Sequence, residues 1–211
     1  MYIIDDTYFQ APKREIANLN EADSRSFVEL EQLIDYKCRL FLLYFLTAEE
    51  VAELESYLTD GLFPEDTTDI PQKWIDLVNG ATYEHQNVSF IWNGLKYSKG
   101  TFKGSIMADF VYYHWLVENV SYMTGTGDTK ANPKGATSVN PTQRVVRVWN
   151  DFVEQYQKDG FGFCNPYDVY YGYFNQIQKT DVSLIQFLTD NNEVYPNSNR
   201  KYFEIKNQLG L

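Results

Sequence analysis

The stretch VYYHWLVENVSYMTGTGDTKANPKGATSVNPTQRVVRVWNDFVEQY, residues 111–156, decides how the chain is read. Val145, Val148, Trp149, Phe152 and Tyr156 recur at three- and four-residue spacing, which predicts a helix over 142–158 entered through Asn140 and Pro141. Residues 105–123 are aromatic or aliphatic on nearly every side, so a helix there is expected to be buried or pressed against another subunit. Between the two lie residues 124–140, with almost no large apolar side chain. Two packed helices do not need seventeen residues to turn around, and a structureless stretch of that length in a compact domain is usually functional or disordered. The expectation is a flexible loop or arm, 124–140, that orders against a neighbouring subunit. Its interface residues are then Thr124, Gly125, Thr126, Gly127, Asp128, Lys130, Asn132, Lys134 and Asn140. A plain linker is the alternative.

Outward from that stretch the chain reads as mainly α, a single-domain helical bundle (1–211) with four principal helices, a small β-hairpin and extended terminal segments. In SRSFVELEQLIDYKCRLFLLYFL, residues Phe27, Leu30, Ile34, Cys38, Phe41 and Phe45 share one helix face. Leu33, Tyr36, Leu40 and Leu43 add a second, so this helix belongs at the centre, with Asp23 or Ser24 to cap its start. Thr47 with Glu50 is a capping-box pattern opening a helix that ends before Asp60-Gly61. Pro71 serves as the first residue of a short helix leaving through Gly80, and residues 181–191 form another. In VSFIWNGLKY, Asn93-Gly94 is the strongest short-range hairpin signal in the chain. Residues 1–22 are expected to be extended, as is the tail 194–211, where Tyr202, Phe203 and Ile205 can dock on the body.

Composition narrows the function classes. The chain has 211 residues, 44% of them hydrophobic and 17% aromatic, enough for a sizeable core. A formal charge of −11 argues against wrapping a nucleic-acid backbone. No apolar run approaches the ~20 residues that cross a bilayer, and the start lacks a signal-peptide core, so production in a cytoplasm is expected. Cys38 and Cys164 form no CxxC pair and read as reduced thiols.

No residue cluster identifies a reaction. GTGDTK holds the Gly, Lys and Thr of a phosphate loop, but its Lys follows Asp128-Thr129, the element before it reads as helical, and Asp128 would face an anion with a carboxylate. His85 and His114 lie in different elements without a second ligand at helical spacing, and His114 reads as a core or interface residue. The acidic pairs Asp5-Asp6, Glu49-Glu50 and Glu65-Asp66 sit at helix starts or in loops, where solvation and the helix dipole account for them. The aromatic run from Phe161 to Phe174 is packing, or the pocket of a small ligand-binding protein or enzyme. The expectation is a non-enzyme with no catalytic residue, metal or cofactor.

The combination IPQKWIDLVNGATY (70–83), WNGLKY (92–97), IMADFVYYHWLVENVSYMTGTGDTKANPKGATSV (106–139) and QRVVRVWNDFVE (143–154) resembles an uncharacterised structural-protein family of Bacteroidetes tailed phages and prophages. The match covers about residues 25–160. Members show a Trp-containing helix after Pro, a Trp/Gly-Leu turn, an Ala-x-x-Val-Tyr-Tyr-x-x-Leu helix, a Thr-Gly-x-Gly loop and an Ala/Val-Trp-Asn-x-x-Val helix. The resemblance implies a virion component made in the bacterial host cytoplasm: a subunit of a head-tail connector, or neck ring, through which DNA passes. Its implied partners are further copies of itself in a ring, and the portal or adjacent neck and tail proteins. DNA would be passing cargo only, without sequence-specific binding, and no membrane is implied. An assembly factor absent from the finished particle is the alternative within the same resemblance.

Overall fold

The computed structural model describes residues 3–10, 14–16, 19, 25–99, 102–119, 122–124, 127–129, 142–157, 181–198 and 201–206. It is mainly α with a small antiparallel β part. Among the described residues the α-helices are α1 (Arg25–Leu42), α2 (Ala48–Ser56), α3 (Gln72–Asn79), α4 (Ile106–Glu118), α5 (Thr142–Gln157) and α6 (Leu184–Asp190). Three two-stranded ribbons among the described residues pair β1 (Ala81–His85) with β2 (Val88–Trp92), β3 (Tyr97–Lys99) with β4 (Phe102–Gly104), and β5 (Tyr122–Thr124) with β6 (Gly127–Thr129).

Helix α4 is the centre of the body. It packs against α1 on one side and α5 on the other, and α5 in turn meets α6. Its residues Ile106 to Tyr113 are all buried, as an all-round apolar sequence requires. Ser105 starts it by accepting from the amides of Met107 and Ala108. Around α4, Phe41, Phe110 and Phe152 pack in tilted and edge-to-face pairs, with centroids 5.2–5.8 Å apart. Cys38 is fully buried in the same core, and loss of hydration pushes its thiol well above the usual range. The second apolar face of α1 is only partly used: Leu40 and Leu43 are half-buried, while Tyr36 is exposed beneath the Lys37 ammonium.

The segment expected to be extended at the N-terminus carries a 3-10 turn, Asp6–Phe9, because the Asp5 carboxylate accepts from the Thr7 amide and caps it. Ile3, Ile4 and Phe9 insert into the core. Behind them Arg14 is sealed in. Its Nη1 donates to Asp109 Oδ1 at 2.6 Å, Nε to the Tyr8 carbonyl at 3.2 Å and Nη2 to the Lys103 carbonyl at 2.6 Å. Asp109 also accepts from Gln155 Nε2 at 2.7 Å. Both charged side chains are 1% exposed. One buried pair therefore ties the N-terminal segment, β4, α4 and α5 together.

The capping box on Thr47 and Glu50 forms as its sequence requires, with the Glu50 carboxylate returning to the Thr47 amide at 2.9 Å. Pro71 sits at the cap position, one residue before α3 begins. The proposed capping residues Asp23 and Ser24 lie outside the described residues.

The hairpin expected around Asn93-Gly94 is corrected. The ribbon turns instead at Gln86 (φ 51°) and Asn87 (φ 63°), and pairs His85 with Val88. Positive φ at both central residues is the type I′ geometry, whose twist suits a two-residue hairpin. Asn93-Gly94 closes the end of α3. The amides of Leu95 and Lys96 donate to the Leu77 and Val78 carbonyls, and Trp92 Nε1 also donates to Leu77. A Cβ on Gly94 would lie 2.6 Å from Gly80 N, and one on Gly80 would lie 2.5 Å from Trp92 O. Two backbones touch there, each glycine at a φ above 90°.

Two outcomes follow. In urea unfolding, Asp109→Ala is expected to cost about 3–5 kcal/mol because it leaves a buried guanidinium unpaired, whereas Arg14→Met with Asp109→Leu should recover most of that loss. Equal stability of the single and double variants would mean the pair is hydrated. Gly94→Ala should lose more than about 1 kcal/mol, measured the same way, since it adds a clash to an unfavourable φ.

Candidate interaction surface

Of the expected arm residues, Thr124 closes β5, and Gly127 and Asp128 open β6. The register pairs Thr124 with Gly127, Met123 with Asp128 and Tyr122 with Thr129. Part of the stretch read as a structureless arm is therefore a ribbon, and α4 ends at Glu118 rather than running to Met123. The reason is local. Tyr122, Met123 and Thr124 favour an extended backbone. Gly125, Thr126, Lys130, Asn132, Lys134 and Asn140 lie outside the described residues, as do Cys164 and the aromatic run 161–174. One argument against a phosphate loop at GTGDTK is the helix expected before it. A strand precedes it instead, but this strand turns back into β6 and not into the start of a helix, which is what phosphate needs.

The histidines are brought into separate environments. His85 Nε2 lies 3.8 Å from Asp190 Oδ1, a pairing made by the fold across β1 and α6. Asp190 also accepts from the Tyr83 hydroxyl at 2.7 Å and from Gln186 Nε2 at 2.6 Å, so its work is to join those elements. Burial, then the Asp190 hydrogen bond, pushes the Tyr83 phenol far up. His114 packs edge-on to Phe110 and Tyr113. Burial, helped by the ammonium groups of Lys37 and Lys206, holds its pKa down at about 4. Among the described residues no three His, Cys, Asp or Glu side chains converge to hold a metal ion. No described helix is long and apolar enough to cross a membrane.

The surface with the most organised chemistry is one the sequence showed only as the polar side of α5. Residues 201–206, expected to be extended, lie against that helix as a strap. Gln157 grips Phe203 reciprocally: its Nε2 donates to the Phe203 carbonyl and its Oε1 accepts from the Phe203 amide, both at 2.6 Å. Asn150 does the same for Lys206, both bonds at 2.9 Å. Between them Trp149 Nε1 donates to the Glu204 carbonyl at 2.7 Å.

The spacing explains the fit. Asn150 and Gln157 are two helical turns apart, about 10.5 Å, and three residues of extended chain cover about 9–10 Å. Burial along the strap repeats every third residue: Phe203 and Lys206 are partly buried while Tyr202, Glu204 and Ile205 are exposed. Two anchors three residues apart fit the three-residue turn of a polyproline-II backbone better than the two-residue alternation of a strand. Phe203 sits among Tyr44, Trp149, Phe152 and Tyr156, with centroids 5.0–5.5 Å away. The Lys206 ammonium lies 4.8 Å from the Tyr113 ring and 5.0 Å from Trp149. Of the three apolar residues expected to dock, Phe203 does so, while Tyr202 and Ile205 point out.

The His114 environment has a pH consequence. Its folded pKa is below the ordinary imidazole value of about 6.5, so the unfolded chain takes up the proton first. Stability is full above about pH 6.5 and falls as pH drops toward about 4. His114→Gln should therefore lose less stability than the native chain between about pH 7 and pH 4.5, read as the shift in urea midpoint. Parallel shifts would place the imidazole in water.

No protein-family model matches the chain, and neither a curated protein nor a solved structure does.

Proposed function

We propose that this chain is a structural virion protein, a subunit of a phage head-tail connector through which DNA passes. The family resemblance supplies the role. The observation that carries it is the way α5 holds an extended segment by its backbone. A helical body that seats extended segments on a ready face suits a subunit that must interlock with its neighbours.

Charge supports the same reading. In a ring, a surplus of carboxylates towards the lumen repels the DNA phosphates, so the duplex slides without sticking, and −11 per copy supplies that surplus. Its partners are then other copies of the chain and the portal or neighbouring neck and tail proteins. The ribbon formed by β5 and β6, with the residues that follow it to position 140, is the second contact region.

Quantitative mass spectrometry of purified particles tests the proposal. The chain is expected in a fixed copy number near the ~12 of a closed neck ring. Deleting residues 125–138 should leave the helical circular-dichroism signal in place and remove the chain from particles. Absence of the native chain from particles would overturn the virion role. Incorporation of the deleted form would overturn the contact assigned to that region.

A further inference from the structure

The strap is held in a manner that does not depend on its belonging to the same molecule. Five hydrogen bonds between α5 and residues 203–206 use the strap's backbone: two with Gln157, two with Asn150 and one from Trp149. Side-chain selection rests on an aromatic seat for Phe203, a slot between Tyr113 and Trp149 where Lys206 Nζ also donates to the Tyr113 hydroxyl, and the Tyr44 ring 4.0 Å beneath the Lys201 ammonium. Helix α5 therefore presents a built site for an extended peptide of polyproline-II form carrying an aromatic residue and a lysine three positions later.

We infer that this site also takes the 201–206 segment of a second copy of the chain, so that copies join by exchanging straps. Two observations favour that occupant over an unrelated peptide. The matching ligand is already encoded in every copy, with both anchors in register with both clamps. Charge is complementary as well: Arg200, Lys201 and Lys206 against Glu204 give residues 199–211 a side-chain charge of +2, leaving −13 on the remainder. Whole copies at −11 repel one another, but a basic strap is drawn to an acidic neighbour. Docking within one chain wins in dilute solution, where a short connection gives an effective concentration of order mM. Exchange takes over when copies are crowded to that level or held side by side.

This inference deepens the contact side of the connector reading and can fail separately from it, because exchange is a property of the purified chain. The experiment places a photo-crosslinking amino acid at exposed Tyr202 in the full chain and mixes equal amounts of unlabelled and 15N-labelled protein. Crosslinks between position 202 and residues 142–157 are then sorted by mass. The expected result is mixed labelled-unlabelled pairs that rise with concentration, to about a quarter of all crosslinks near 1 mM, where about half of the straps are exchanged, and towards about half at full random exchange. Asn150→Ala with Gln157→Ala should abolish the mixed pairs. Since that variant also weakens docking within one chain, Phe203→Ala serves as a second: a labelled peptide of residues 199–211 should bind it, and should not bind when the two clamp substitutions are added. Like-with-like crosslinks alone up to about 1 mM, or peptide binding indifferent to the clamps, would overturn the inference.

Discussion

The fold depends on a charge placed where no water reaches it. Arg14 and Asp109 are each 1% exposed, and neither could be buried alone: the cost of removing an ion from water is several kcal/mol even after relaxation. The pair is tolerated because its remaining hydrogen-bonding positions are filled by the Tyr8 and Lys103 carbonyls and by Gln155. Together with the pair itself, those partners join four separate parts of the chain. An N-terminal segment that would otherwise be a loose lead-in is thereby committed to one position on α4, and α4 to one rotation against α5. Such a pair adds little net stability over an apolar replacement of the same shape, and its effect here is to fix which segments meet.

Around that anchor the apolar contacts follow from simple periodicity. The faces carried by Leu30, Ile34, Cys38 and Phe41 on α1 and by Val148, Phe152 and Tyr156 on α5 were legible because three- and four-residue spacing leaves little choice of which side turns inward. The capping box at Thr47 was legible for a similar reason, since its partners lie within one turn. Turns were less so. Asn93-Gly94 has a strong local preference for a hairpin, yet the carbonyls left free at the end of α3 required capping, and a glycine pair allowed the close approach. The hairpin formed at Gln86-Asn87, where a glutamine at positive φ gives no sequence signal.

The candidate site was the least legible part. Arg14 follows Ala-Pro-Lys and reads as a surface basic residue, because its acceptors are carbonyls and a carboxylate up to 95 positions away. Asn150 and Gln157 read as the wet side of an amphipathic helix. Their seven-residue spacing was visible, but it acquires meaning only beside an extended segment whose own period is three. Trp149 and Phe203 were expected to pack, without any indication that they would pack on each other.

Cys38 has a use beyond filling space. A sulfur sealed in the core, and kept in its neutral form, cannot meet an alkylating reagent while α1 stays seated. Its rate of modification therefore keeps time for the separation of that helix from its neighbours. Read at this one position, the chain reports on the opening of its own centre without any added label.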